Sequence, residues 1–452
     1  MLTPNEARAL LDKALSFSKA DEMEAVLRGG RSAYTRFGAN SANTSGDRED
    51  LVIVIRAHIG RRSGAASTNA TDERSLERAV RRAEEIARLR PEDPEQMPFV
   101  GKQEYVEIEG AFDQATYAAD ATMRAKGVAA IIGPAQGRNL VAAGLFDHAG
   151  SLEARANTRG NFGYHRSSFA SLTTTVRTPD GTGSGWASNI SHRLRDIDAQ
   201  QVSARALEKA ERSRNPIALE PGNYTVVLEP NAVGDLLGLM MGFFGARAAD
   251  EGRSFFSRKG GGNRLGEKLF DERVHIYTDP QYAAAPGDPF DDEGLPTKRM
   301  DFVRNGVLEN LIYSRYWAKK MSEETGRQIA PTPEPTNIIM AGGDATLDEM
   351  IRSTERGILV TRFWYIRLVD PRAILYTGLT RDGLFLIEKG RIKTAIKNFR
   401  FNESPVKMLR NIEAMSPPVR ITGSERIGAS RPVLAPALKV RDFSFTSLSD
   451  AV

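Results

Sequence analysis

The sequence predicts an α+β fold, in which α/β-type layers of helices and antiparallel strands are followed by a mostly β C-terminal domain with one buried helix. Two patterns in the 452 residues lead to this prediction. Up to about residue 216, segments with apolar residues at helical spacing alternate with strand-like segments. Beyond it, short β-rich runs follow turn pairs such as Asn305-Gly306 and Asp382-Gly383. With 40% hydrophobic and 27% charged residues, the composition is that of an ordinary globular protein.

A chain of this length is expected to hold two or three domains. We predict an N-terminal α+β unit over 1–95, a second part of the N-terminal domain over 96–216, and a mainly β C-terminal domain over 217–452. The first boundary is the Arg-Pro-Glu-Asp-Pro run at 90–94, and the second is Asn215-Pro216, since both are rich in residues that end regular structure.

The first unit opens with a helix. Thr3 is placed to cap it, Pro4 stands at its first position and Glu6 completes a capping box, so the helix is predicted to begin there and to end near Ser18. A second helix is predicted over 73–89, where apolar side chains fall on one face and charges on the other.

Three strands are predicted between these helices. Segments 23–27 and 33–37 read as a hairpin that turns on Gly29-Gly30, because a glycine pair between two strand-like runs favours a tight turn. A third strand, 51–59, is rich in branched residues.

The second unit is predicted to contain helices at 114–125 and 204–212 and strands at 139–146, 152–156 and 167–176. Residues 181–185, Gly-Thr-Gly-Ser-Gly, resemble a phosphate-binding loop, but no Lys-Ser or Lys-Thr pair follows them. We therefore predict a turn-forming loop beside a packed Trp186. The same loop does not form a serine nucleophile elbow, since the preceding apolar strand is missing.

In the C-terminal domain, the segment 232–244 is almost wholly apolar and has no polar face, so we predict a buried helix.

Charge and cysteine content limit the possible functions. Lys and Arg exceed Asp and Glu by 62 − 58 = +4, which is weak support for nucleic-acid binding, and none is expected. No apolar run is long enough to span a membrane, and the N-terminus does not resemble a signal peptide, so we expect a cytoplasmic protein. With no cysteine, thiolate catalysis, disulfides and Cys-ligated metals are excluded.

Only histidines and carboxylates could then hold a metal. No two of the five histidines have helical ligand spacing; they are His58, His148, His165, His192 and His275. His148 and His165 could meet across neighbouring strands with Asp147 nearby, although strand histidines are more often hydrogen-bonded structural residues.

Three further clusters are candidates for binding. Asp291-Asp292-Glu293 could be a carboxylate site, but its proline and glycine neighbours favour a turn that lines a cavity. The glycine-rich loop around Arg258 could grip an anion or be a solvated loop. The aromatic run 363–365 favours a core or subunit contact over base stacking.

Several short sequence segments together resemble those of the TldD/PmbA family, and the resemblance covers nearly the whole chain. In the N-terminal half the segments are 35–40 (TRFGAN) and 68–69 (TN). In the C-terminal half they are 226–230 (VVLEP), the apolar helix, 291–297 (DDEGLPT), 305–308 (NGVL), 335–337 (PTN) and 436–440 (PALKV).

The resemblance implies one of two subunit types. TldD-type members are zinc peptidases with a His-Glu-three residues-His motif on this helix, in which the histidines hold Zn²⁺ and the Glu takes a proton from zinc-bound water. PmbA-type members, also called TldE, lack the motif and pair with a TldD-type subunit. Here Gly238 and Phe243 stand where the histidines would be and Leu239 stands where the Glu would be, so no catalytic or metal-binding residue is predicted in this chain.

The resulting prediction is a non-catalytic subunit of a heteromeric zinc peptidase. It would complete a chamber for peptide or unfolded substrates, with zinc in a TldD-like partner. Asp292, Glu293 and Arg258 are candidate cavity residues, and the 254–264 loop and the aromatic run near Trp364 are candidate interface residues. Two alternatives stay open. The first is a stand-alone metallopeptidase with an unconventional metal site, which could be a homodimer. The second is a regulatory binding protein with no peptidase role.

Overall fold

The computed structural model describes residues 1–423 and 431–449. Within this part, one six-stranded sheet forms the N-terminal half, and a six-stranded and a seven-stranded sheet form the C-terminal half. The predicted α+β class, with a mostly β C-terminal domain, is confirmed. In the same residues, no helix is long and apolar enough to cross a bilayer.

The N-terminal half contains five helices, six strands and a 3-10 turn at Leu194–Asp196 among the described residues. In chain order the helices and strands are α1 (Pro4–Ser16), β1 (Glu22–Gly38), β2 (Ser41–Ile59), β3 (Arg62–Thr68), α2 (Glu73–Leu89), α3 (Gln114–Ala118), α4 (Ala121–Gly137), β4 (Val141–Asn157), β5 (Phe162–Arg177), β6 (Ser184–Ser191) and α5 (Ala199–Arg212). All strand pairs are antiparallel, in the order β3-β2-β1-β4-β5-β6. Because β1 pairs with β4, both N-terminal units share one sheet.

The helices cover only one face of this sheet. Side chains alternate between the faces of a strand. On β1, Ala25 and Leu27 face α1 and α2, whereas Phe37 faces α4 and α5. Residues of the other parity, such as Arg28, lie on the second face, which no helix of the N-terminal half covers.

Locally encoded helices agree with their prediction. Thr3 and Glu6 form the predicted capping box of α1, which ends at Ser16, and α2 has the predicted bounds. The predicted 114–125 helix is wrong as one element, because Asp120 caps a new helix and separates α3 from α4. The predicted 204–212 helix is longer, since Asp198 caps it as α5.

The predicted hairpin turn at Gly29-Gly30 is wrong. β1 runs straight through this pair and turns at Ala39-Asn40, where both residues have left-handed backbone angles, at φ 50° and 57°. A Cβ on Gly30 would lie 2.1 Å from the Gly150 carbonyl oxygen, so this glycine permits close backbone approach within the sheet. The pairing of β1 with β2 extends the predicted 51–59 strand back to residue 41, although residues 41–50 are polar and mostly exposed.

The predicted strands at 139–146 and 152–156 are one strand, β4, since 147–151 stay paired with both neighbours. β5 extends the predicted 167–176 strand at both ends. The 181–185 loop ends in β6, and Trp186 is buried beside it as predicted.

The C-terminal half contains five helices and thirteen strands in the described residues. The first group is β7 (Gly222–Leu228), α6 (Pro230–Met241), α7 (Ala246–Asp250), β8 (Ile276–Thr278), β9 (Met300–Arg304), β10 (Val307–Leu308), α8 (Arg315–Thr325), β11 (Ile338–Met340) and α9 (Leu347–Arg352). The second is β12 (Arg356–Asp370), β13 (Leu375–Glu388), β14 (Arg391–Ala395), β15 (Phe399–Glu403), α10 (Pro405–Arg410), β16 (Ile412–Met415), β17 (Val419–Ile421), β18 (Val433–Ala435) and β19 (Leu438–Leu448).

The six-stranded sheet of this half has the order β10-β9-β8-β11-β18-β17. The seven-stranded sheet follows β12-β7-β19-β15-β13-β14, with β16 paired to β19. Because β12 also pairs with β13, five of its strands form a closed ring around an apolar interior that contains Phe363, Phe401 and Phe443.

The predicted buried helix is present as α6, but it begins at Pro230 and ends at Met241, with Gly242 as its C-cap. Leu236, Leu237 and Met240 on α6 are fully buried in the same core. The last predicted residues, 242–244, therefore lie beyond the helix.

Candidate functional site

A cleft of about 560 Å³ lies between the second face of the N-terminal sheet and the C-terminal half. Strands β1, β2, β4 and β5 form its floor. Two C-terminal segments, 288–292 and 334–336, together with Arg431, form its opposite wall. The cleft exists because the helices cover only the first face of the sheet, which leaves the second face available to the C-terminal half.

Glycines make part of the floor bare backbone. Gly29, Gly30 and Gly150 all line the cleft. A side chain at Gly29 would also approach the opposite strand, with its Cβ 2.9 Å from the Asp50 carbonyl oxygen. Gly29 and Gly30 thus present peptide backbone to the cleft, whereas Gly150 lies against the side chains of Tyr117 and Phe112.

A bridging arginine connects the floor to the wall. Arg28 Nε donates to Glu153 Oε2 at 2.8 Å, and Arg28 Nη2 donates to Asp292 Oδ1 at the same distance. The buried Arg155 adds a contact from Nη2 to the Asp292 carbonyl oxygen at 3.3 Å. The predicted cavity residue Asp292 thus lies in the cleft, where it joins the C-terminal wall to β1.

The lining of the cleft carries more carboxylates than arginines. Asp50, Glu153, Asp288, Asp291, Asp292 and Glu334 face three arginines, Arg28, Arg31 and Arg431. Arg431 Nη2 donates to Glu334 Oε2 at 3.2 Å. The buried His165 lies with Nε2 3.3 Å from Asp288 Oδ1. The formal charge of the lining is therefore negative before any contribution from His165.

Asp291 organises the acidic turn. Its carboxylate accepts hydrogen bonds from the backbone N–H groups of Glu293, Leu295 and Glu334 at 2.9–3.1 Å. Burial raises the pKa of Asp291, an effect that these hydrogen bonds partly oppose. This arrangement agrees with the turn interpretation of 291–293.

The other two predicted cavity residues are placed outside the cleft lining. Glu293 is exposed and lies with Oε2 3.7 Å from Arg315 Nη1. Arg258 lies in an exposed glycine-rich turn, where its Nε donates to Glu267 at 3.0 Å. The structure thus brings Asp292 to the cleft and does not bring Glu293 or Arg258 to its lining.

The three positions that the sequence analysis matched to the family's metal motif lie at the end of α6. Gly238 and Leu239 are half-buried in its last turn, whereas Phe243 follows the Gly242 cap. The Tyr376 hydroxyl donates to the Leu239 carbonyl oxygen at 3.2 Å, and the Tyr376 ring packs edge-on against Phe243. Burial raises the pKa of Tyr376 to about 12, so this hydroxyl stays a donor. None of the three motif side chains has a ligand atom, so this donor set does not fit zinc.

The histidines are dispersed. On β4 and β5, His148 pairs with Ala170 and His165 pairs with Glu153, so the two are five ladder positions apart, roughly 17 Å along the strands. The alternative in which His148 and His165 meet is therefore not realised, and the structural interpretation of these histidines is the better one. His148 instead lies under α4, where Arg124 Nη1 is 2.9 Å from its Nε2.

The remaining histidines lie apart from one another. His58 stacks on Phe99, and His275 Nε2 lies 2.7 Å from Asp301. Across residues 1–423 and 431–449, no group of three or more His, Asp or Glu side chains has a geometry suited to a metal ion.

Sequence reasoning missed most of the cleft. Arg28 and Glu153 are directly opposite each other on β1 and β4, but their separation in sequence hides this pairing. The signal that was available is Gly29-Gly30 next to Arg28, since glycines inside a strand often mark close approach of another backbone.

Three family models, all from the same metallopeptidase family, match successive parts of the chain. Residues 23–87, 106–214 and 221–447 match domain 1, the central domain and the C-terminal domain of the PmbA/TldA metallopeptidases. The metalloprotease PmbA of Escherichia coli O157:H7 is 21% identical over 96% of both chains. A metalloprotease TldD homologue of Buchnera aphidicola is 30% identical, over 35% of this chain and 34% of the relative.

The structure of TldE from Thermococcus kodakarensis superposes with a TM-score of 0.83 at 17% identity, and covers 97% of this chain and 99% of that one. This likeness shows a shared fold. By contrast, the chain spans only about a third to a half of the length of several curated relatives that it matches.

Proposed function

Because the chain belongs to the PmbA/TldA metallopeptidase family, we propose that it is the metal-free, non-catalytic subunit of a heteromeric peptidase. A TldD-like partner supplies the zinc and the catalytic Glu. This chain contributes the cleft, which holds peptide or unfolded polypeptide.

One observation carries the proposal. The family's metal motif falls on Gly238, Leu239 and Phe243, and the third of these positions lies past the end of the helix. The side chains of Leu239 and Phe243 pack against the core of the C-terminal half, and Gly238 has no side chain. The end of α6 thus keeps the family's architecture with an apolar surface in place of ligands.

The cleft fits the proposed substrate class. Its volume of about 560 Å³ is within the range of roughly 300–1,000 Å³ that is usual for small-ligand sites. A folded domain does not enter a space of this size, whereas an extended segment can lie over the bare backbone at Gly29 and Gly30.

The experiment compares metal content and peptidase activity of the purified chain alone, the chain mixed with a TldD-like subunit, and the same mixture with the partner's motif Glu replaced by Gln. We expect the lone chain to be metal-free and inactive, and activity in the mixture to disappear with the partner's Glu. About one metal per chain, together with chelator-sensitive cleavage by the lone chain, would instead establish a stand-alone enzyme.

A further inference from the structure

The end of the β12–β13 hairpin exposes three large apolar side chains within five residues. Tyr365, Leu368 and Val369 are 55%, 47% and 53% exposed. We call these three residues the hairpin patch. Single exposed apolar residues are ordinary, but a compact group on one element marks a surface that another molecule covers.

The patch lies on an open strand edge. β7 pairs with β12 only from Gly357 to Val360, whereas β13 continues along β12 as far as Asp370. From residue 361 onward, the described strands pair with β12 on one side only. Exposed edges with apolar side chains promote association, so soluble proteins usually cover or charge them.

The local backbone is held in an unusual shape. The β12–β13 register shifts three times, between Val360 and Arg362, Trp364 and Arg367, and Leu368 and Asp370. Within the second shift, Tyr365 has a left-handed φ of 53°. Strained conformations of this kind concentrate at sites that bind other molecules.

Arginines surround the patch. Arg367 and Arg372 are exposed on the hairpin, and Arg400 is exposed on the adjacent β15. The Arg367 guanidinium lies 4.0 Å above the Tyr365 ring. Asp370 is the acidic residue of the hairpin end, and it is half-buried and accepts from the Arg372 backbone N–H. Tyrosine and arginine around an apolar centre are typical of energetically important interface residues.

We propose that the hairpin patch is the docking surface for the metal-bearing subunit, whose matching surface is apolar with an acidic rim. This inference rests on the function proposed above. A second copy of this chain is a poor occupant, since a twofold contact on the patch would bring the arginine rims together. An acidic rim on a different subunit meets no such repulsion.

The hairpin also connects the patch to the degenerate motif. Leu368 pairs with Tyr376 across the hairpin, and the Tyr376 hydroxyl donates a hydrogen bond to the Leu239 carbonyl oxygen. A subunit bound at the patch is therefore one strand away from the end of α6.

The test uses Leu368→Glu and the double variant Arg367→Glu with Arg372→Glu, and measures binding to the purified TldD-like subunit by sedimentation. Leu89→Glu is the matched control, because Leu89 is 78% exposed on the N-terminal half. We expect at least tenfold weaker association for both hairpin variants and no change for the control. Circular dichroism melting checks that every variant is folded.

The outcomes separate the two proposals. If the hairpin variants bind the partner like the wild-type chain, the docking surface is wrong and the proposed function stands. If the wild-type chain does not associate with or activate a TldD-like subunit, the proposed function fails and this inference fails with it. If Leu368→Glu instead abolishes self-association of the lone chain, the occupant is a second copy.

Discussion

Arg362 and Asp382 form a buried ion pair where the C-terminal half meets the N-terminal sheet. Arg362 Nε donates to Asp382 Oδ2 at 2.9 Å, and the Ser184 hydroxyl of β6 donates to the other carboxylate oxygen. The Arg362 guanidinium also lies 4.7 Å above the Trp186 ring. One carboxylate thus joins β12, β13 and β6.

Asp382→Asn is expected to lower the free energy of unfolding by about 3 kcal/mol, because it leaves the Arg362 charge buried without its partner. Asn tolerates the left-handed φ of 55° at this position, so the change tests the charge and not the backbone. Urea denaturation measures the effect. The control is Glu267→Gln, which removes ion pairs with Arg258 and Arg264 at the protein surface and is therefore expected to cost much less stability. Equal losses in the two variants would contradict this account.

His148 should make stability depend on pH. Burial, reinforced by the Arg124 charge, lowers its pKa from 6.5 to about 4. The unfolded chain therefore takes up a proton below pH 6.5 that the folded chain refuses. The contribution of neutral His148 to the free energy of unfolding is complete above pH 6.5. It is lost as the pH falls towards 4, and the loss amounts to at most about 3 kcal/mol.

His148→Gln retains an acceptor for Arg124 but cannot titrate. We expect its loss of stability between pH 7 and pH 4.5 to be smaller than that of the wild-type chain in urea titrations. Asp147, whose pKa burial raises to about 6, shifts stability in the opposite direction, and it is present in both proteins. If the free energy of unfolding falls equally with pH in the two proteins, the pKa of His148 is not lowered in the folded chain and the prediction is wrong.

Gly30→Ala should destabilise the sheet by roughly 1–3 kcal/mol, because the added methyl group would meet the Gly150 carbonyl oxygen and the adjoining backbone. Thermal melting measures the change. Gly101→Ala is the matched control, since a Cβ there meets nothing within 4 Å. If the two alanine variants have the same melting temperature, β1 and β4 are not packed as closely as described.

The triple variant Gly238→His, Leu239→Glu, Phe243→His is expected not to bind zinc stoichiometrically. Space exists for a side chain at Gly238, but position 243 lies beyond the helix cap, and Leu239 and Phe243 pack against an apolar core that is not arranged to orient new ligands. Elemental analysis after dialysis measures bound zinc, and circular dichroism establishes that the variant is folded. One zinc per chain with recovered peptide cleavage would contradict this prediction.

Elements whose determinants are local could be predicted from sequence. The capping box at Thr3 and Glu6 and the one-sided apolar pattern of α2 are complete within a few turns of chain. The role of the Gly29-Gly30 pair could not be predicted in this way, because it depends on Gly150, a residue on another strand.

The same limit applies to the cleft. Asp292 could be assigned to a cavity from its turn-rich neighbours, but its contact with Arg28 depends on the packing of one half of the molecule on the other. The placement of His148 and His165 likewise depends on the register of β4 and β5, which decides how far apart they lie and which face of the sheet each occupies.

The pairing of β1 with β4 also constrains how the chain reaches its native state. Glu24 pairs with Asn157, so the central ladder of the N-terminal sheet cannot form until the three intervening helices and β4 have left the ribosome. Such contacts between distant parts of the chain slow folding. Until they form, the nascent β1–β2 hairpin carries an unsatisfied edge, and this interval is when the growing polypeptide is most exposed to aggregation and most dependent on chaperones.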